Sequence, residues 1–410
     1  MSAERDRDRE YEFAANLLDE SGRAADPLAE SPERAEFRAL LRALVAQESP
    51  LDRTRAMDDA RDFDRDLYRA LAEIGVLGLD APEELGGAGD LRDQLVAVEE
   101  LGRGPTSMAA FLILQYAAIK FLGRNVSTDE QRAVLVDLVA GKSLVSFGMS
   151  ERDGATDLGR TLRTRAERDG AGWSITGQKM WTSAATDAQW IIVFARTEPA
   201  KGPSIDGISS FLVPADAPGV EIRPLDTFGI HGMSTCEVFF DDVSVSEEAL
   251  IGELGKGMRQ AFATINHEGL LACAACLGVG HGALKTARDY VAQREVFGKP
   301  VGAFQVPQHW LVDAAVGLEA ARSLMDRAAA VEVAGGRSEM LTLMAKLLAS
   351  ETAQDITLDG MQMMGGAGYL MEVPMQRFFR DVRLWNFAPL NNEMVRNRIG
   401  ERLLRLPRSY

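Results

Sequence analysis

The sequence predicts a mainly α-helical protein with a central β domain. Apolar residues recur at spacings of three and four positions up to residue 143, and the same spacing returns after residue 254. Between these parts lie short segments that are rich in β-branched and aromatic residues and bounded by Gly, Asp or Pro. The final part contains four long amphipathic stretches, the pattern of a helical bundle. The predicted order is therefore an N-terminal α-helical domain, a middle β domain and a C-terminal four-helix bundle.

The N-terminal part divides into an arm and a helical domain. Residues 1–34 are dense in charge and poor in branched aliphatic side chains, so we expect a frayed or disordered arm. Residues 35–143 carry leucines at helical spacing, and SMAAFLILQYAAIKFLGR (107–124) is apolar on every side. A segment that is apolar all round is typical of a buried helix.

The middle β domain is expected over residues 144–254 and the bundle over residues 255–410. The sequence DGAG (169–172), between two β-type segments, indicates a hairpin. Four helical stretches are predicted in the bundle, at 257–295, 307–334, 338–364 and 390–405.

The composition restricts the classes of partner. Lys and Arg total 45 against 61 Asp and Glu, a formal net charge of -16. Such an acidic chain is poorly suited to nucleic acid or to an anionic membrane surface, because both require clustered cations. Only three cysteines occur, and the N-terminus MSAERDRDREYEF has no apolar h-region. We expect a cytoplasmic protein without a membrane span.

Two local motifs are explained better by packing than by chemistry. GVGHG (278–282) is similar to a dinucleotide loop, but it lies inside a long helical stretch with no strand before it, which favours close helix contact. Cys273 and Cys276 have apolar neighbours and no nearby His, which favours burial. No metal site is predicted from the four histidines, which are His231, His267, His281 and His309.

Five ordered segments are informative as a set. They are FGMSERDGATD (147–157), GQKMWTSAATDAQWIIVFART (177–197), CEVFFDDVSV (236–245), REVFGKPVGAFQ (294–305) and MQMMGGAGYLMEVPMQRFFRD (361–381). In order and spacing they resemble the signature regions of the acyl-CoA dehydrogenases, over residues 35–405. The resemblance implies a β-barrel-like middle domain, FAD as cofactor, an acyl-CoA substrate and a homotetramer or homodimer. It also implies that electrons leave to an electron-transfer flavoprotein or to oxygen.

The resemblance assigns cofactor-binding residues. Phe147 and Ser150 match an aromatic and a hydroxyl that line the flavin, and Thr156 matches a hydroxyl near the thioester arm. Trp181 matches a Trp that lies against the flavin ring, and Ser183 matches a hydroxyl at its reactive nitrogen. Three groups of further matched positions follow: Arg294, Phe297 and Gln305, for the adenine–pyrophosphate end across a subunit interface; Gln362, Gly365 and Gly366, for backbone approach to the other subunit's cofactor; and Asn391 and Glu393, in the last signature.

The resemblance also locates the catalytic base. Most members carry a Glu in the last signature, and the matching position here is Pro389, which offers neither a carboxylate nor a backbone N–H. A subset that includes isovaleryl-CoA dehydrogenase carries the Glu ten residues before a Gly, and Glu268 stands ten residues before Gly278. Its apolar neighbours predict a raised pKa, as a general base requires. Glu268 is therefore the predicted base.

Two further departures bear on the substrate. Gly269 and His231 stand where many members have Arg. Fewer cations near the thioester arm suggest an acyl group linked to a carrier protein as an alternative to CoA.

Two other functions remain open at this point. A flavin-dependent monooxygenase on the same fold would need no α-proton base and would be reduced by NAD(P)H or a reductase. A non-catalytic acyl-binding or assembly subunit is the third hypothesis, which the retained Trp181, Ser183 and Arg294 disfavour.

Overall fold

The computed structural model describes residues 30–154 and 157–408. Its N-terminal part is helical, with the bounds α1 (Pro32–Glu48), α2 (Leu51–Ala60), α3 (Arg65–Glu73), α4 (Leu91–Gly102), α5 (Thr106–Asn125) and α6 (Asp129–Val139). Helix α1 begins inside the last residues of the predicted arm, since Ser31 accepts a hydrogen bond from the Arg34 N–H and Pro32 suits a first helical position. The rest of the predicted arm, residues 1–29, lies outside the described residues.

The middle part is an eight-stranded sheet with one short helix, α7 (Leu158–Thr161). Its strands are β1 (Val145–Gly148), β2 (Arg165–Asp169), β3 (Gly172–Ser183), β4 (Trp190–Arg196), β5 (Ile208–Pro214), β6 (Val220–Pro224), β7 (Thr235–Ser246) and β8 (Leu250–Ile251). The strand order is β6-β7-β3-β2-β4-β5-β8, and β1 pairs with β4 in parallel. The hairpin predicted at 169–172 joins β2 to β3, with Gly170 in the left-handed region.

The C-terminal part is dominated by three long helices. After α8 (Gly257–Phe262), these are α9 (Ile265–Gln293), α10 (Gln305–Val333) and α11 (Glu339–Met364), followed by the shorter α12 (Pro374–Val382) and α13 (Asn392–Arg402). A small hairpin of β9 (Glu295–Val296) and β10 (Lys299–Pro300) separates α9 from α10. The fold class predicted from the sequence, helices around a central β domain with a C-terminal bundle, is confirmed.

Helices α5 and α9 are apolar and long enough to cross a membrane by length and composition. Their most apolar windows are 78% and 89% buried within the protein, which is the position of core helices. Cys273 and Cys276 are free and buried in α9, as predicted.

The GVGHG motif is a packing motif, as predicted. A Cβ atom added to Gly278 would lie 2.2 Å from the carbonyl oxygen of Glu99 and 2.8 Å from the Cα of Gly102. Helices α4 and α9 therefore meet backbone to backbone. The same crossing carries a buried ion cluster, in which the Glu99 carboxylate pairs with Arg322 of α10 and, at 3.2 Å, with Arg38 of α1.

We expect Gly278→Ala to destabilise the protein by about 1–3 kcal/mol, because an added methyl group overpacks the α4–α9 contact. The measurement is the urea midpoint of unfolding. Gly123→Ala is the matched control, since Gly123 is also helical but has no atom within 4 Å of an added Cβ. That control should be neutral or slightly stabilising. Equal midpoints for the two variants would contradict the packing role of Gly278.

Candidate active site

Trp181 is an exposed aromatic residue on a distorted strand. The pairing of β3 with β7 shifts register between Lys179 and Thr182, which is a β-bulge. Trp181 lies within this bulge with a φ of 61°, and 60% of its surface is exposed. A bulky residue in the left-handed region costs on the order of 1–3 kcal/mol, and such strain is typical of functional positions. The ring is thus presented to solvent as a flat apolar surface.

The two signature segments predicted to face a flavin lie side by side. The Met180 N–H donates to the Ser150 carbonyl at 2.9 Å, and the Ser146 hydroxyl donates to the Ser183 carbonyl at 2.5 Å. Ser150, Trp181 and Ser183 therefore belong to one surface. An exposed indole with adjacent hydroxyls fits a planar ring system with polar edges, such as the flavin of FAD.

Phe147 supports this surface from behind. Its ring packs against Phe121 and Phe194 at centroid distances of 6.0 and 6.5 Å, so much of it belongs to the core. Thr156 lies outside the described residues.

A buried ion pair, which the sequence analysis missed, lies beneath the surface. The fully buried Lys179 donates to the Glu151 carboxylate at 2.9 Å and to the Met149 carbonyl at 3.3 Å. Glu151 also accepts from the backbone N–H groups of Arg163 and Thr164. Burial lowers the pKa of Lys179 to about 8, against the opposing effect of Glu151. Lys179 continues the two-residue spacing of the inward-facing positions of β3. This alternation could have predicted from the sequence that Lys179 is buried.

Glu268 lies in the first turn of α9 and is half-buried. Burial alone raises the pKa of its carboxyl from 4.5 to about 7. Among the described residues, no hydrogen bond or ion pair reaches this carboxylate. A desolvated carboxyl with a pKa near neutrality and no partner is the state that a general base requires, as predicted from the apolar neighbours.

The segment with Pro389 is occupied by structural contacts. The Asn391 side chain caps α13 by accepting from the Met394 N–H at 2.8 Å. The buried Lys346 of α11 donates to the Leu390 carbonyl at 2.8 Å and to the Asn392 side chain at 2.7 Å. Glu393 is exposed in the first turn of α13. The side chain of Asn391, which is predicted to bind the cofactor, is therefore already used to cap a helix.

A second group of predicted residues lies at the other end of the bundle. Glu268 and Arg294 are separated by almost all of α9, a distance of about 39 Å at 1.5 Å per residue. Phe297, in the β9–β10 turn, is 96% exposed. At the end of α11, Gly360 lies beside Ala287 of α9, so the segment that follows it shares this end of the bundle. The predicted residues exposed there are Arg294, Phe297, Gln305, Gln362, Gly365 and Gly366. Within one chain, the fold therefore does not bring them to Glu268.

His231, which stands where many members have Arg, is used in a contact within the protein. Its ring lies 3.2 Å from the Asp58 carboxylate and 3.3 Å from the Arg380 guanidinium, at a mostly buried contact between domains. The other departure, Gly269, is buried against α11, where an added Cβ would lie 2.9 Å from the Cγ2 of Thr342. Within the described parts of the chain, no three His, Cys, Asp or Glu side chains are grouped as metal ligands.

Comparison with known proteins identifies the family to which this fold belongs. Family models of the acyl-CoA dehydrogenases match the N-terminal domain over residues 31–142, the middle domain over 146–243 and the C-terminal domain over 255–404. The chain is 33% identical over 377 residues to a probable acyl-CoA dehydrogenase, fadE25, of Mycobacterium leprae, covering 91% of this chain and 96% of that protein.

Solved structures agree with this comparison. Butyryl-CoA dehydrogenase from Megasphaera elsdenii superposes with a TM-score of 0.86 at 30% identity, covering 92% of this chain and 99% of that one. A chain solved in a study of the electron transferring flavoprotein of Acidaminococcus fermentans superposes with a TM-score of 0.88 at 28% identity, covering 93% of this chain and 100% of that one. Together with the matched family models, these likenesses mean that the chain belongs to the acyl-CoA dehydrogenase family of FAD-dependent flavoprotein oxidoreductases.

Proposed function

We propose that this protein introduces an α,β double bond into an acyl thioester, with Glu268 as the catalytic base. The observation that carries the proposal is the state of Glu268, which is half-buried, has no hydrogen-bond or ion-pair partner among the described residues and has a pKa raised by burial to about 7. Pro389, at the position used by most relatives, has no ionisable group. Glu268 is thus a carboxyl whose burial and pKa suit removal of an α-proton.

The roles of the chain's own residues follow from their positions. Glu268 takes the proton from the α-carbon, and the electron pair left behind forms the double bond as a hydride leaves the β-carbon. FAD, when bound, would supply the acceptor for that hydride. Trp181, through its exposed ring, and Ser150 and Ser183, through their hydroxyls, would hold the cofactor. The buried Lys179–Glu151 pair holds the backbone from which these side chains project.

Acyl-CoA is the better supported form of the substrate. His231 contacts Asp58 and Arg380, which weakens one of two arguments for a carrier-protein-linked acyl group, the other being Gly269. The Mycobacterium leprae and Megasphaera elsdenii relatives described above are also named for CoA thioesters. An electron-transfer flavoprotein is the proposed acceptor, in keeping with the similarity to a chain from a study of such a protein.

A homodimer, or a dimer of dimers, would complete the site. The proposed base Glu268 and the predicted cofactor residue Arg294 lie at opposite ends of α9, about 39 Å apart. One bound FAD would then take Trp181 and Ser183 from one chain, and Arg294 and Gln362 from its partner. The near-complete exposure of Phe297 fits a residue that is covered by a second subunit.

We expect Glu268→Gln to slow anaerobic flavin reduction by an acyl-CoA about 10²–10⁴-fold, the usual contribution of a general base. The measurement is the loss of flavin absorbance in stopped flow, with a panel of acyl-CoA and carrier-linked acyl groups. Glu339→Gln makes the same chemical change in the first turn of α11 and should react as the wild type does. Undiminished reduction by Glu268→Gln would contradict the base assignment. Reduction by NAD(P)H alone, followed by product oxygenation, would favour the monooxygenase.

Glu268→Gln, which should slow flavin reduction, should increase the stability of the protein at high pH. Because the pKa of Glu268 is higher in the folded state, the folded protein binds the proton more tightly, and stability falls as pH rises from about 4.5 to about 7. Glu268→Gln should therefore be more stable than the wild type at pH 8, by at most about 3 kcal/mol, and nearly equal to it at pH 4.5. Thermal unfolding of the FAD-loaded proteins at the two pH values tests this. An equal or lower midpoint for Glu268→Gln at pH 8 would be inconsistent with a desolvated carboxylate.

Intersubunit complementation tests the proposed dimer. We expect Glu268→Gln and Arg294→Ala to be inactive alone, and mixed dimers of the two to recover about half of the wild-type sites, since each mixed dimer contains one intact site of two. The measurement is flavin reduction by acyl-CoA in mixed oligomers purified through two different tags. If Glu268 and Arg294 served the same cofactor from the same chain, no mixture would recover activity.

A further inference from the structure

The first turn of α9 is tied to the bundle by the residue two positions before Glu268. The Asn266 side-chain amide donates to the Glu332 carboxylate at 2.9 Å and to the Ser338 hydroxyl at 2.7 Å. Ser338 in turn donates to Glu332 at 2.6 Å. Glu332 ends α10 and Ser338 precedes α11, so one amide joins the start of α9 to the connection between its two neighbouring helices.

The next residue ties the same turn to the N-terminal domain. His267 is buried, and its Nε2 lies 2.6 Å from the Oε1 of Gln94 on α4. The amide nitrogen of Gln94 donates to the Leu79 carbonyl at 2.6 Å, so its oxygen faces the imidazole and His267 Nε2 carries the proton. Burial lowers the pKa of His267 well below its usual range, and the imidazole is therefore a neutral, fixed donor.

These two ties act on a base whose carboxylate has no hydrogen-bond or ion-pair partner among the described residues. No hydrogen bond or ion pair among the described residues reaches the Glu268 carboxylate, so its direction depends on the backbone of its helical turn. A misplacement of about 1 Å in a reacting group can slow a reaction on the order of 10²-fold. The Thr264 side chain does not cap the start of the helix, and within the described residues Asn266 and His267 anchor it by side-chain hydrogen bonds.

We propose that Asn266 and His267 are positioning residues for Glu268, holding its turn from the α10–α11 connection on one side and from α4 on the other. The proposal rests on the proposed function of Glu268 as base. It assigns roles to two residues whose types alone predict neither catalysis nor cofactor binding.

The charged groups around this turn are few. Lys120 and Arg124 of α5 face His267, and Glu332 of α10 faces Asn266. Burial is the cause of the raised pKa of Glu268, so loosening of the turn should let water reach the carboxyl and lower that pKa toward 4.5.

Asn266→Ala and His267→Leu in the full-length, FAD-loaded enzyme test the proposal. We expect anaerobic flavin reduction by butyryl-CoA, or by the best substrate of the acyl-CoA panel, to slow about 10–100-fold at unchanged FAD content. The pH of half-maximal rate should move below about 7. His267→Gln, which keeps an N–H donor toward Gln94, should recover most of the rate. Thr286→Val removes a hydroxyl bonded to the Gly282 carbonyl further along α9 and should change neither quantity.

Several outcomes would overturn the proposal. Rates within twofold of the wild type, with Glu268→Gln strongly impaired, would remove the positioning roles and leave the base assignment intact. Slower reduction with an unchanged pH profile would indicate general loss of structure instead. If His267→Leu fails to fold, Asn266→Ala decides the question, because it removes two hydrogen bonds at a half-buried position. Wild-type reduction by Glu268→Gln would overturn both this proposal and the proposed function.

Discussion

The close crossing of α4 and α9 is the constraint on which the rest of the structure depends. At Gly278 the two backbones approach so closely that an added Cβ would lie 2.2 Å from the Glu99 carbonyl oxygen. The Glu99 side chain, at the same crossing, reaches Arg38 of α1 and Arg322 of α10. The axis of α9 is therefore fixed against three other helices. Because both ends of α9 carry predicted site residues, this one crossing sets where the proposed base Glu268 lies and where the predicted cofactor residue Arg294 lies.

The functional positions are held in states that cost free energy, and their surroundings maintain those states. Trp181 has a left-handed backbone and an exposed ring, while Glu268 is desolvated without a hydrogen-bond or ion-pair partner among the described residues. On a flexible segment, both residues would adopt conformations of lower free energy. Trp181 stays in place because the strand on each side of it is paired and the Lys179–Glu151 ion pair lies below. Glu268 stays in place because its turn belongs to a buried helix. These two residues thus lower the free energy of unfolding, and the packing around them offsets that loss.

The parts of the structure that follow from local pattern could be predicted from the sequence, whereas those that depend on distant partners could not. Helical spacing and the β-type block predicted the order of domains, and ordered signature segments predicted that Trp181 and Ser183 share a surface. The contacts of His231 could not be predicted because its partners, Asp58 and Arg380, lie far away in the sequence. The same is true of Asn266, whose partners lie in the last turn of α10 and just before α11. Side chains that join separate elements leave no periodic signal in their own segment.

Pro389 can now be understood from its neighbours. Around it, Lys346 holds the Leu390 carbonyl and the Asn392 side chain, and Asn391 caps α13, so the polar groups of this segment are used in fixing the loop. The segment is therefore held by structural contacts, and Pro389 itself offers no group for proton transfer. The orientation of α9 is set at its crossing with α4, which does not involve this loop. A chain that carries its base on α9 can consequently accept a proline at 389, because the change leaves the position of Glu268 untouched.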